Sequence, residues 1–244
     1  MKLDDLVSRL VPDPAACRQA ADALRRDHPG EAPAELARRA IHSAKVRAAT
    51  AGAATGMASS PLTMIPAALA DLATVMKIEA TLVGVIAALL EPAALDDPKA
   101  IRADVIGVIF PAAASQALRQ VGIRATERLS QAAMRKYATE DLVRTLTRFA
   151  ARFLGKKITR EAIVAKAVPL LGIGIGAGWN WLEVQAIGAR AIHYYTGQPI
   201  GPLLTRSLLA TPKLDRRRLP LPKVARFLPG KREGEPAPPE DTVA

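Results

Sequence analysis

Large aromatic side chains are scarce here: Phe, Trp and Tyr make up 4% of the 244 residues. Sandwiches and barrels lean on such residues and on Thr to fill their layers, so the scarcity argues against a sheet protein. Cysteine is almost missing as well. Cys17 stands alone, which excludes an internal disulfide and a thiolate metal cluster and suits a reducing compartment. No His lies near it in sequence, so it is not expected to be a nucleophile. The three histidines, His28, His42 and His193, show no paired spacing, and His-Glu-x-x-His, Glu-x-x-His and Gly-x-Ser-x-Gly are all missing. No metal, cofactor or catalytic residue is therefore assigned, and an enzyme is the less favoured reading. Long apolar runs are lacking too. The stretches 167–182 and 80–90 fall short of the roughly 20 apolar residues that a spanning helix needs. The opening MKLDDLVSRL carries two acids and no apolar core, unlike a signal peptide. The expected location is the cytoplasm, with a peripheral position on the inner face of the cell membrane as the finer form of that expectation.

What is present is helix-forming apolar residues. Hydrophobic residues reach 50%, carried by Ala, Leu, Ile and Val, and Ala and Leu favour helices. Punctuation divides the chain. Asp13-Pro14 opens a helix that His28-Pro29-Gly30 closes, following the preference for Pro at the first helical position. A second helix is expected from Glu31 to about Met57, a third over 66–90 and a fourth over 98–118, capped by Asp97 and interrupted at Pro111. Amphipathic helices are expected over 123–137 and 139–154, another over 157–168, and a last one from near Gly176 to Tyr195. Within 139–154, Leu142, Leu146, Phe149 and Phe153 recur at helical period as a core stripe. Beyond residue 200 prolines and charges dominate, a composition that cannot bury enough surface to fold. The predicted architecture is all-α: a compact multi-helix bundle with a disordered basic, Pro-rich C-terminal tail. Its expected divisions are an N-terminal helical extension (1–30), a helical domain (31–200) and the tail (201–244).

Charge is unevenly spread. The net charge is +11, yet 61–118 holds three basic and six acidic residues, whereas 119–166 holds twelve basic and four acidic. Arg144, Arg148 and Arg152 form a four-residue series on a face away from the core stripe, and Lys156, Lys157 and Arg160 follow. Such a local positive field suits an anionic surface, and an Arg-rich solvated face is the bland alternative. Nucleic acid is disfavoured, because the few aromatics in the block fit the core rather than base stacking. An anionic membrane surface or a membrane protein is the expected partner, and no small-molecule ligand is identified.

Two further sets stand out. Gly172, Gly174, Gly176 and Gly178 fail as a dinucleotide loop, since the glycine spacing is wrong and the preceding segment reads as helix. Pairs four apart instead open a flat groove for another helix, or make a tight turn; either way their role is close backbone approach. The second set is polar: Asp71, Lys77, Glu79, Lys166, Asn180, Glu183, Arg190 and His193 interrupt apolar segments. Buried charges must be paired. These residues either form pairs that fix helix register or line a polar pocket around Asp71, Lys77, Glu79, Lys166, Asn180 and Glu183.

The run Lys166-Ala-Val-Pro169-Leu-Leu-Gly172-Ile-Gly-Ile-Gly176-Ala-Gly-Trp-Asn180, then Ile187-Gly188 and Ala191-Ile192-His193-Tyr194-Tyr195, resembles the C-terminal signature of the EcsC protein family. Ala54-Thr55-Gly56 with Pro66 and Asp71 is similar to the family's N-terminal half. The likeness covers roughly 36–197, with Asp71, Lys166, Pro169, Gly172, Gly176 and Asn180 as matching positions. It implies a bacterial helical protein with an accessory role beside transport or secretion, and it supplies no reaction. The expected function is therefore a non-enzymatic, membrane-proximal accessory or scaffold protein. The alternative is a helical enzyme or small-ligand binder with a polar site around Asp71, Lys166 and Asn180.

Overall fold

Proline marks where the helices start. The structure, a computed structural model, describes residues 3–55, 61–120, 139–167 and 172–197, which contain helices and no strand. Helix α1 spans Leu3–Ser8, α2 Pro14–Asp27, α3 Pro33–Thr55 and α4 Pro61–Leu90. After a 3-10 turn at Pro92–Leu95 come α5 (Pro98–Ile109), α6 (Pro111–Gln120), α7 (Glu140–Ala167) and α8 (Gly172–Tyr195). Helices α2 to α6 each begin on a proline, where the missing N–H costs nothing and the fixed φ suits the first turn. The Asp13 carboxylate accepts from the Ala15 N–H at 2.9 Å, and Asp97 accepts from the Lys99 N–H at 2.8 Å; each such cap contributes about 1 kcal/mol. Gly197, at φ 73°, ends α8 in the left-handed region, a conformation that glycine adopts without strain.

Helices α3, α4 and α8 pack on one another. Their contact faces are small: Ala37, Ile41, Ala44 and Ala48 on α3 meet α8 around Val184, Ile187 and Ala191, all buried. A Cβ at Gly188 would overlap the Ile41 side chain, so only a glycine lets these two helices come this close. Helix α2 lies across α4 in the same way at Gly84, where a Cβ would sit 2.6 Å from the Cys17 Sγ. Arg25 then donates to the Ala88 carbonyl at 2.9 Å, satisfying an acceptor in the last turn of α4. On the other side, α1, α5 and α6 pack on α7. Helix α5 joins the two groups: it also touches α4 and α8, and every residue from Ala103 to Ile109 is buried.

Several expectations change. Within the expected N-terminal helical extension, Val7, Leu10, Cys17 and Ala21 belong to the same hydrophobic core as the later helices. The expected helices over 139–154 and 157–168 are one continuous helix, α7. Phe149 and Phe153 are half-buried at the margin of its core stripe, while Leu142, Leu146, Ala150 and Leu154 are fully inside. Gly178 is not a packing position: it is exposed and a Cβ there would meet nothing within 4 Å. Gly172, Gly174 and Gly176 lie in the first turns of α8, with surroundings outside the described residues. The helix expected over 123–137 and the tail also lie outside them. Among the described residues one helical segment, Leu72–Leu90, is long and apolar enough to cross a membrane, and 67% of it is buried inside the protein.

The contrast between two glycines is testable. Gly188→Ala should lower stability by about 1–3 kcal/mol through overpacking, whereas Gly178→Ala should leave it unchanged or raise it by about 0.5–1 kcal/mol. Urea denaturation followed by circular dichroism reads both, and equal effects would refute the close-contact argument.

Candidate functional site

The polar residues of the apolar helices divide into three groups. Glu79 on α4 is 2% exposed. Arg190 on α8 is half-buried, and burial pulls its guanidinium below its ordinary value while Glu79 and then Glu183 push it back. Glu79 and Glu183 thus both act electrostatically on Arg190, which brings three of the expected residues into one neighbourhood where α4 packs on α8. Arg190 Nε also donates to the Ala186 carbonyl at 3.4 Å. Lys77 is two residues from Glu79 and so on a different face; it is exposed. Asn180 is buried, and its amide donates to the Ala48 carbonyl at 3.4 Å. That bond commits Asn180 to holding α8 on α3. His193 is half-buried near the end of α8. The side chains of Asp71 and Lys166, on α4 and α7, lie outside the described residues.

Sequence reasoning missed the most buried carboxyl group among the described residues. Asp104, on α5, is 0% exposed. The Tyr194 hydroxyl donates to its Oδ1 at 2.6 Å and the Tyr195 hydroxyl to its Oδ2 at 3.2 Å. The two rings meet edge to face at 5.2 Å, which lets adjacent residues of one helix reach the same carboxyl group. A buried carboxyl group without such donors costs several kcal/mol in rough terms. The signal was available: Asp104 is the one acid in Pro98–Ile109, and two tyrosines stand together at the end of α8.

On α7, Arg144, Arg148 and Arg152 are exposed, one helical step apart, and lie off the buried face of Leu142, Leu146, Ala150 and Leu154. Asp141 lies 4.0 Å from Arg144, and the Glu140 carboxylate also feels the Arg144 charge. Arg148 donates to the Thr145 hydroxyl at 3.3 Å, and Arg152 stands over the Phe149 ring at 5.5 Å. Glu140, at the start of α7, is instead engaged by Lys99 at 3.0 Å, whose ammonium holds its carboxyl below the usual range. The side chains of Lys156, Lys157 and Arg160 fall outside the described residues, further along the same helix.

A last cluster straddles α3 and α8. Lys45 Nζ lies 4.4 Å from the Trp181 ring centre and donates to Gln185 Oε1 at 2.5 Å. His42 meets Trp181 edge-on at 6.0 Å. Val46 (45%) and Leu182 (47%) are exposed beside them in sequence.

Among the described residues no three of His, Cys, Asp and Glu are grouped to hold a metal. Cys17 is buried, and burial followed by the Asp13 charge pushes its thiol up to about 11, which leaves it protonated and unreactive near neutrality. Comparison with protein-family models, with curated proteins and with solved structures found no match.

Two measurements follow. Tyr194→Phe should cost about 1–3 kcal/mol, and Tyr195→Phe less because its bond is longer; chemical denaturation checks the order, and a neutral Tyr194→Phe would refute the role given to Asp104. For Cys17 the folded thiol keeps a proton that the unfolded chain releases between pH 9.0 and about 11. Stability from this source is full below that window and falls across it. The wild-type urea midpoint should drop more steeply there than that of Cys17→Ala, and a thiol reagent should label the native protein slowly at pH 8.

Proposed function

We propose that this protein is a non-enzymatic accessory or scaffold protein that works at an anionic membrane surface, in service of transport or secretion. The observation that carries the reading is the row of Arg144, Arg148 and Arg152, exposed on α7, with the nearby carboxylates Asp141 and Glu140 acting on Arg144. The contacts these side chains make are local to α7 and its exposed face, which leaves guanidinium N–H groups to meet external anions. The same helix continues with Lys156, Lys157 and Arg160. The resemblance of residues 36–197 to the EcsC family points the same way, toward a membrane-proximal role. The cluster of Glu79, Glu183 and Arg190 is compatible with a structural register and asks for no ligand.

Each basic residue near an anionic membrane contributes about 1 kcal/mol, and reversing three charges on an exposed face leaves the core untouched. In vesicle co-sedimentation, the full chain should pellet with phosphatidylserine-containing vesicles at low salt, stay in the supernatant with purely zwitterionic ones, and be released by high salt. Arg144→Glu/Arg148→Glu/Arg152→Glu should weaken the partition at least about tenfold. Equal pelleting of the triple variant would refute the assignment of this face.

A further inference from the structure

The exposed row on α7 is not uniform along its length. At its start the charges are balanced: Lys99 engages Glu140 at 3.0 Å, and Arg144 has Asp141 at 4.0 Å and also interacts with the Glu140 charge. None of the ion pairs among the described residues includes Arg148 or Arg152. Unbalanced positive charge on the row is therefore concentrated on these two.

Both side chains are held by α7 itself. Arg148 Nη2 donates to the hydroxyl of the buried Thr145 at 3.3 Å, which leaves its Nε and Nη1 groups for other acceptors. The Arg152 guanidinium stands over the Phe149 ring, 5.5 Å from its centre. A guanidinium that meets a ring through its face keeps its N–H groups along its edge, clear of that contact. Four residues separate the two arginines, about 6 Å along the helix axis and about 40° around it, so their like charges repel. An anion placed between them relieves that repulsion and accepts hydrogen bonds from both.

The donor set narrows the choice of anion. Two arginines carry two charges and present paired N–H groups in a plane, where lysines would present point charges. A phosphomonoester carries about −1.5 to −2 charges at pH 7 and three terminal oxygens, enough to accept from both guanidiniums at once. A phosphodiester or a carboxylate offers one charge and two such oxygens. The source of the group is indicated by the neighbours. Phe149 and Phe153 each follow one of the arginines and are half-buried at the margin of the core. Partly exposed rings beside a row of cations are what an interfacial helix offers to the boundary between headgroups and acyl chains, and a site for a free phosphate has no use for them.

We infer that Arg148 and Arg152 clasp the phosphomonoester headgroup of a membrane lipid, the class to which phosphatidic acid belongs, and that Thr145 positions Arg148 for this contact. This rests on the membrane-surface reading above and names the headgroup that the surface selects.

The test compares the full chain on two sets of vesicles, one containing phosphatidylserine and one phosphatidic acid, matched in surface potential so that general attraction is equal. Binding to phosphatidic acid should be tighter by at least about fivefold. Arg148→Lys/Arg152→Lys keeps both charges and removes the paired donors, and should bring the ratio below about two. Thr145→Val should lower the ratio to about half by freeing Arg148. Circular dichroism confirms that each variant is folded. A wild-type ratio near one, or a ratio unmoved in both variants, would overturn the clasp and leave the surface reading standing. No binding to either set of vesicles would overturn both. Inorganic phosphate bound in calorimetry by the wild type but not by the double variant, with no preference between the vesicles, would assign the pair to a free phosphate and overturn the lipid source.

Discussion

A carboxyl group sealed from water sets the terms for this fold. Asp104 lies at the middle of α5, with no exposed surface, and accepts hydrogen bonds from two tyrosines in the last turn of α8. Those bonds form only if α5 enters between α7 and the α3–α4–α8 group at one height and one rotation. A one-residue slip would turn the carboxyl group by about 100° and strand it among Ile, Val and Leu side chains. Apolar surface alone gives α5 a weaker preference, since nine of its twelve residues are buried. The polar contact supplies the specificity that the hydrophobic contacts lack.

The rest of the core works with small residues. With few aromatic rings to fill volume, the helices gain contact by approaching one another. Alanine faces α8 along α3, and glycines at 188 and 84 mark the tightest crossings. Dispersion contacts then come from backbone against side chain rather than from large groups interlocking. The Glu79, Arg190 and Glu183 charges are held within the same close contact, where Arg190 bears the cost of burial and the two carboxylates offset it.

How much of this was legible in the sequence depended on whether the signal was local. Prolines and caps act within a few residues, so the starts of α2 and α5 and the break at Pro111 were readable from Pro14, Asp97 and Pro111 themselves. The merging of two expected segments into α7 was not, because Gly155 and Lys156 resemble an interruption but a single glycine costs a long helix only about 1 kcal/mol. Contacts between distant segments were harder still. Glu183 and Arg190 shared a face by spacing, but their partner Glu79 is more than a hundred residues away. Asp104 and its tyrosines were both conspicuous in composition, yet nothing in either segment names the other. The glycines failed for a related reason: Gly178 and Gly188 look alike in sequence, and only the path of α3 decides which of them is crossed.

The order of synthesis has a consequence for α4. Its Leu72–Leu90 segment leaves the ribosome with the apolarity of a membrane span, while α8, which covers much of it, is made roughly a hundred residues later. At about 5–20 residues per second, several seconds pass in which the nascent chain displays an unshielded apolar helix. Closure of the core must therefore wait for the C-terminal third, which supplies the helix that packs on α3 and α4.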